Sequence, residues 1–121
     1  MIFINYTNHP SAKWSAEQRA AAEVYGEIQD LQFPEVSPDM DMQEVAGLAE
    51  AETKKILAMK PKVVLCQGEF TLCFAVIERL LAAGIEVVAA CSRRAVQELT
   101  DKDGTTRKQA EFRFVQFREY K

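Results

Sequence analysis

The chain has 121 residues, 48% hydrophobic and 27% charged, with a formal net charge of −3 and a pI near 5.2. These values fit one globular domain with a core of its own. The acidic balance argues against a general nucleic-acid coat, so duplex nucleic acid is not an expected partner. No run approaches the roughly 18 apolar residues a membrane span needs, so no membrane partner is expected either.

Met1–Tyr6 (MIFINY) is a short apolar run bounded by Thr7-Asn8-His9-Pro10, and it predicts the first strand. It has neither the basic n-region nor the h-region of a signal peptide, so the expected location is cytoplasmic. Ser15-Ala16-Glu17-Gln18 fits a capping box, with Ser15 at N-cap, and opens a helix that runs to about Tyr25 before Gly26. Glu27–Phe33 alternates apolar and polar residues, as a half-exposed edge strand does. Pro34, Ser37 and Pro38 form a loop. Asp41, with Glu44 three residues on, then caps a second helix from about Met42 to Met59, which Pro61 ends.

The most informative stretch is Pro61–Arg94. Lys62–Cys66 and Ile85–Cys91 are continuous apolar runs, the pattern of strands buried on both faces. Between them Phe70–Ala83 is apolar on nearly every side, and Gly84 stands where a helix C′ residue belongs. Strand, helix and strand make a βαβ unit with a right-handed crossover. Ala95–Thr100 and Gln109–Tyr120, joined across Asp103-Gly104, predict an antiparallel hairpin outside the fourth strand. In it Phe112 and Phe114 share one face, and Arg113, Val115 and Phe117 the other. The expected fold is α/β: a Rossmann-like three-layer domain over residues 1–121, its sheet mainly parallel in the order 2-1-3-4, with a C-terminal β-hairpin.

Ligands of open α/β sheets bind outside the carboxyl ends of the strands. That rule gathers three loops: Thr7–Trp14, Gln67–Thr71 and Ser92–Arg94. Within them Asn8, Ser11, Lys13, Trp14, Gln67, Gly68, Glu69, Phe70, Thr71, Ser92, Arg93 and Arg94 are candidate ligand-binding residues. His9 is the candidate catalytic acid/base. Each has a plainer reading. Gly68 lets the backbone approach a phosphate at a helix N-terminus, or only makes a tight turn. Arg93-Arg94 grips a phosphate, or is a solvated pair. Trp14 stacks on a base, or plugs the core. Asn8 and Ser11 are also ordinary turn residues. Glu69 would repel phosphate unless it turns away or binds a ribose hydroxyl. Dinucleotide and triphosphate glycine motifs are absent. Cys66, Cys73 and Cys91 form no CxxC pair and read as buried free thiols, so neither a disulfide nor a metal is expected, and no cofactor.

Asn8-His9-Pro10, Ser15-Ala16-Glu17-Gln18 and Gln67-Gly68-Glu69-Phe70, set in a minimal Rossmann-like chain, resemble the small stand-alone CARF-type proteins of the ring-nuclease class in type III CRISPR antiviral systems. The likeness spans most of the chain in layout but rests on these short motifs. The resemblance implies a homodimer that binds a cyclic oligoadenylate, cyclic tetra-adenylate above all, across its two-fold axis. It also implies metal-independent cleavage to linear products with 2′,3′-cyclic phosphates, or sequestration alone where the aligning groups are lacking, with Gln67–Thr71 on phosphate or ribose, Ser92–Arg94 on phosphate, and His9 and its neighbours closing over the ring. Two other readings stay open. One is a small nucleotide- or nucleoside-processing enzyme in which the apolar helix raises the pKa of Glu69. The other is a non-catalytic dimerisation module that pairs through its tail strand.

Overall fold

The structure is a computed structural model that describes residues 1–121, the side chain of Gln97 excepted. The chain order is β1 (Ile2–Tyr6), α1 (Ala16–Glu23), β2 (Glu27–Asp30), α2 (Met42–Ala58), β3 (Val63–Cys66), α3 (Phe70–Ala82), β4 (Glu86–Thr100) and β5 (Thr106–Glu119). The strands form one sheet in the order β2-β1-β3-β4-β5. The first four are parallel, and β5 runs antiparallel to β4. This is an α/β, Rossmann-like, three-layer arrangement.

Local chemistry sets the helix starts. The Ser15 hydroxyl accepts from Gln18 N–H at the head of α1, and Asp41 with Glu44 closes a full capping box on α2. The strand pleat then sorts the core into two layers. Ile4, Tyr6, Val64, Cys66 and Val87 face α2 and α3 with Phe33, Ile56, Leu72, Val76 and Leu80. Phe3, Val63, Leu65 and Val88 face α1 with Ala22, and Trp14, Tyr25 and Phe117 fill the space that one short helix leaves. Phe3 lies 5.2–6.3 Å, ring to ring, from all three of those aromatics. Cys66 and Cys73 are buried free thiols with their sulfurs 3.6 Å apart; Cys91 is free and half-buried. Contact with Cys73, together with burial, pushes the Cys66 thiol up.

Two sequence expectations fail at the C-terminal end. Ser92-Arg93-Arg94 is no loop: β4 continues through it to Thr100, so the tail hairpin is made of β4 itself and β5. Pairing of β4 with β3 stops at Val88, and beyond it β4 and β5 project as a two-stranded ribbon. Alternation also breaks. Cys91 pairs with Gln116 and Ser92 with Phe114, leaving Val115 as an extra residue on β5. A β-bulge of this kind shifts the side-chain phase by one residue. Phe117 therefore joins Phe112 and Phe114 on the α1 face instead of lying opposite, and the Phe114 and Phe117 rings sit 4.9 Å apart. The second strand is shorter than expected as well, ending at Asp30; Phe33 lies beyond it and is buried against Tyr6.

Candidate functional site

The loop after β1 is held by polar side chains at its base. Asn5 is buried, and its Nδ2 donates to the His9 carbonyl at 2.9 Å and to Asp30 Oδ1 at 3.0 Å. Thr7 donates to Asn5 Oδ1 at 2.8 Å and accepts from His9 N–H. Asp30 in turn accepts from Ser11 N–H, and Arg19 donates to the Ser11 carbonyl at 2.8 Å. A short 3₁₀ turn over Ser11–Lys13 follows, then Trp14, which meets Phe3 edge-on. Buried polar groups satisfied in this way fix a loop in one conformation. His9, Lys13 and Trp14 are thus displayed from a braced scaffold.

The turn between β3 and α3 is occupied by its own side chains. Glu69 is the N-cap of α3: its carboxylate accepts from the N–H of Thr71 and Leu72 and from the Thr71 hydroxyl, at 2.7–3.1 Å. These donors, Leu72 N–H foremost, hold its pKa below the usual carboxylate range. The direction is therefore the reverse of the raised pKa expected from the apolar helix, which weakens the case for Glu69 as a general base. The α3 amides expected to receive phosphate are already satisfied. Gly68 meets the Phe33 ring: an added Cβ would lie 2.5 Å from two of its carbons. Here glycine serves close packing, not ligand approach. Gln67 bridges the ends of two strands, its Oε1 accepting from Ala90 N–H at 2.8 Å.

Above the α1 face lies a cleft of about 470 Å³ at the carboxyl ends of β1 and β3, flanked by the middle of β4. The β1 loop contributes Thr7, His9, Lys13 and Trp14, and the head of α1 contributes Ser15 and Gln18. Leu65 comes from β3, Gln67 from the turn after it, Ala90 and Ser92 from β4, and Phe112 and Phe114 from β5. No carboxylate lines it. Its polar groups are one ammonium, one imidazole, hydroxyls and amides, and its walls are aromatic. Such a cavity suits an anionic ligand that carries flat rings.

Of the residues singled out from sequence, His9, Lys13, Trp14, Gln67 and Ser92 converge on this cleft. Asn8 lines a separate hollow with Pro10 and Asp30. Ser11 supports the loop from behind. Gly68 and Glu69 belong to the α3 cap, while Phe70 and Thr71 are exposed on the helix and outside the cleft. Arg93 and Arg94 are exposed on the ribbon opposite Arg113 and Phe112 and do not line the cleft. Sequence reasoning missed Phe112, Phe114, Gln18 and Ser15 as lining residues. The alternation of Phe112 and Phe114 was the available signal for β5. Among the described residues no group of three or more His, Cys, Asp or Glu side chains is placed to hold a metal ion, and no helix is long and apolar enough to cross a membrane.

Fold and cleft together define a doubly wound α/β domain with a ligand-sized, acid-free cleft at the carboxyl edge of its sheet. Residues 1–118 match the family model described as "Uncharacterized protein MJ1673 family", and the chain belongs to that family. A search of curated proteins gives no match.

Proposed function

We propose that this protein binds a cyclic oligoadenylate, cyclic tetra-adenylate in particular, with the cleft above the α1 face as its half-site and a second copy supplying the other half. One observation carries the reading: in an acidic protein, the cleft holds Lys13, His9, Gln67, Trp14, Phe112 and Phe114 and no carboxylate. Phosphate meets the ammonium and the amide donors, and adenine stacks on the aromatic walls. A two-fold ring offers the same half twice, which matches two copies about a C2 axis. The partner class is a nucleotide, and the motif resemblance supplies the ring.

Cleavage of such a ring needs alignment more than an added group. A ribose 2′-hydroxyl gives up its proton as its oxygen attacks the adjacent phosphorus, and the bond to the 5′-oxygen breaks. The 5′-oxygen takes up a proton, leaving a 2′,3′-cyclic phosphate. His9 is the cleft's proton-transfer group and Lys13 its positive charge. The rival reading through Glu69 has less support, because that carboxylate caps α3 and lies outside the cleft.

The test is binding and turnover of labelled cyclic tetra-adenylate with EDTA present. Binding with the ring intact makes the protein a sensor or sponge. A shortened ring bearing 2′,3′-cyclic phosphate makes it a metal-independent ring nuclease. No binding at micromolar protein removes the proposal.

A further inference from the structure

Helix α3 displays an apolar stripe that its own chain leaves uncovered. Phe70, Phe74, Ile77 and Leu81 follow the i, i+4, i+7, i+11 spacing of a single helix face. Phe70 is 88% exposed, Phe74 69% and Leu81 39%, while Ile77 at 9% forms the inner edge. Two phenylalanines so exposed on one well-formed helix differ from the scattered apolar residues of an ordinary surface. Beside the stripe runs an apolar groove of about 580 Å³ whose far wall is Tyr120 and Lys121. The sheet beneath is thinly covered. On the α3 face Ala89 pairs with Arg118 and Cys91 with Gln116; both β4 residues are half-buried and both β5 partners exposed. The groove marks where a third helix of this layer would lie.

We propose that the missing helix is α3 of a second copy, packed antiparallel across a two-fold axis. The stripe is self-complementary in that direction, with Phe70 against Leu81 of the second copy and Phe74 against its Ile77. Charge selects the direction. Glu69 stands at one end of the stripe, and Lys121 lies beside Leu81 at the other. Antiparallel helices bring each Glu69 to the other copy's Lys121, whereas parallel helices set Glu69 against Glu69. The Lys121 ammonium, 82% exposed, sits 3.4 Å from Glu119, itself on the surface, and such a pair holds it only weakly. The contact lies on the face of the sheet opposite the ligand cleft, so it is distinct from the ligand-bridged contact proposed at the cleft, and a copy docked here leaves that half-site free. The inference needs no ligand and stands apart from the nucleotide reading.

Sedimentation velocity on the full chain, free of ligand, across micromolar concentrations tests it. The expected species is a dimer. Phe70→Asp places an acid at the first helical position, where it suits the helix dipole, and it should weaken dimerisation more than tenfold with the circular dichroism spectrum unchanged. Phe74→Ser, at a position with little to lose in the core, should do the same. Direction is read by cross-linking. Phe70→Cys and Leu81→Cys proteins should form a covalent dimer when mixed and not when alone. A wild-type monomer, a dimer that survives both substitutions, or cross-linking of Phe70→Cys to itself would overturn the proposal. Loss of nucleotide binding with the dimer intact would instead remove only the cleft reading.

Discussion

Gly68→Ala isolates one contact whose cost follows from geometry. The added Cβ would lie 2.5 Å from two ring carbons of Phe33 and 2.7 Å from a third. Carbon atoms pack favourably at about 3.5–4.0 Å, so the ring must retreat by about 1 Å. It has little room, being 1% exposed, with its centroid 4.9 Å from Tyr6. Tyr6 is itself pinned, donating to the buried Glu52 at 2.9 Å. Overpacking of this kind costs about 1–3 kcal/mol. The restricted unfolded chain returns about 0.4–1 kcal/mol, leaving a net loss of about 1 kcal/mol. For a domain of this size that lowers Tm by roughly 3–8 °C. Urea unfolding of the wild type, Gly68→Ala, Phe33→Leu and the double variant measures it. Because the smaller side chain accepts the methyl, the double variant should recover at least about 1 kcal/mol of coupling. A Gly68→Ala change within about 0.5 kcal/mol of wild type, or strict additivity, would refute the steric argument. Ligand affinity should be unchanged, since Gly68 lies outside the cleft.

Lys13→Ala should weaken cyclic tetra-adenylate binding by roughly 10- to 100-fold, the worth of one charge-assisted phosphate contact. Arg93→Ala should leave affinity unchanged, because Arg93 pairs across the ribbon with Arg113 on the face away from Phe112 and Phe114; isothermal titration of both variants reads the contrast. Glu69→Gln should flatten the acid limb of the stability profile. The amides of Thr71 and Leu72 lower its folded pKa, so its contribution is present above the ordinary carboxylate value and is lost as pH falls through the folded one. Denaturant midpoints from neutral pH downward should converge for the two proteins. At the alkaline end burial pushes Tyr120 up to about 12 from an ordinary value near 10. Stability that is full below pH 10 should therefore fall between 10 and 12, and less steeply in Tyr120→Phe, as followed by fluorescence-detected unfolding.

The fold was legible wherever one residue type decided one local question. Ser15 and Asp41 announced their helices because an N-cap needs an oxygen acceptor, and both hydroxyl and carboxylate sit where expected. The continuous apolar runs at Val63–Cys66 and through Val88 gave the buried parallel strands for the same reason. What stayed hidden depends on partners distant in sequence. Ser92-Arg93-Arg94 reads as a strand end because charge follows an apolar run, yet β5 supplies a ladder that carries β4 twelve residues past its last contact with β3. The bulge at Val115 is a matter of register between two strands, so Phe117 could not be assigned to its face from alternation alone. Half of the cleft was visible in the β1 loop and Gln67. Of the lining residues not foreseen, Ser15 and Gln18 come from the head of α1, and Phe112 and Phe114 come from β5 and reach the cleft only through that register.

The absence of acid from the cleft has a cause in the polar groups around it. Two carboxylates lie at the carboxyl edge of the sheet, Asp30 at the end of β2 and Glu69 after β3, and either would oppose an anion if it faced the cavity. Each is committed elsewhere. Asp30 accepts from Ser11 N–H and from Asn5 Nδ2, which holds the β1 loop in place. Glu69 accepts from two α3 amides and the Thr71 hydroxyl, which fixes the start of α3. The negative charge that a phosphate ligand would have to avoid is thus engaged by backbone and side-chain donors outside the cleft. Gln67, between the two, presents a neutral amide whose oxygen is held by Ala90 N–H. Lys13 then stands on the cleft wall with no carboxylate among the described lining residues to oppose it. The same hydrogen bonds that end the strands and begin the helix set the sign of the site.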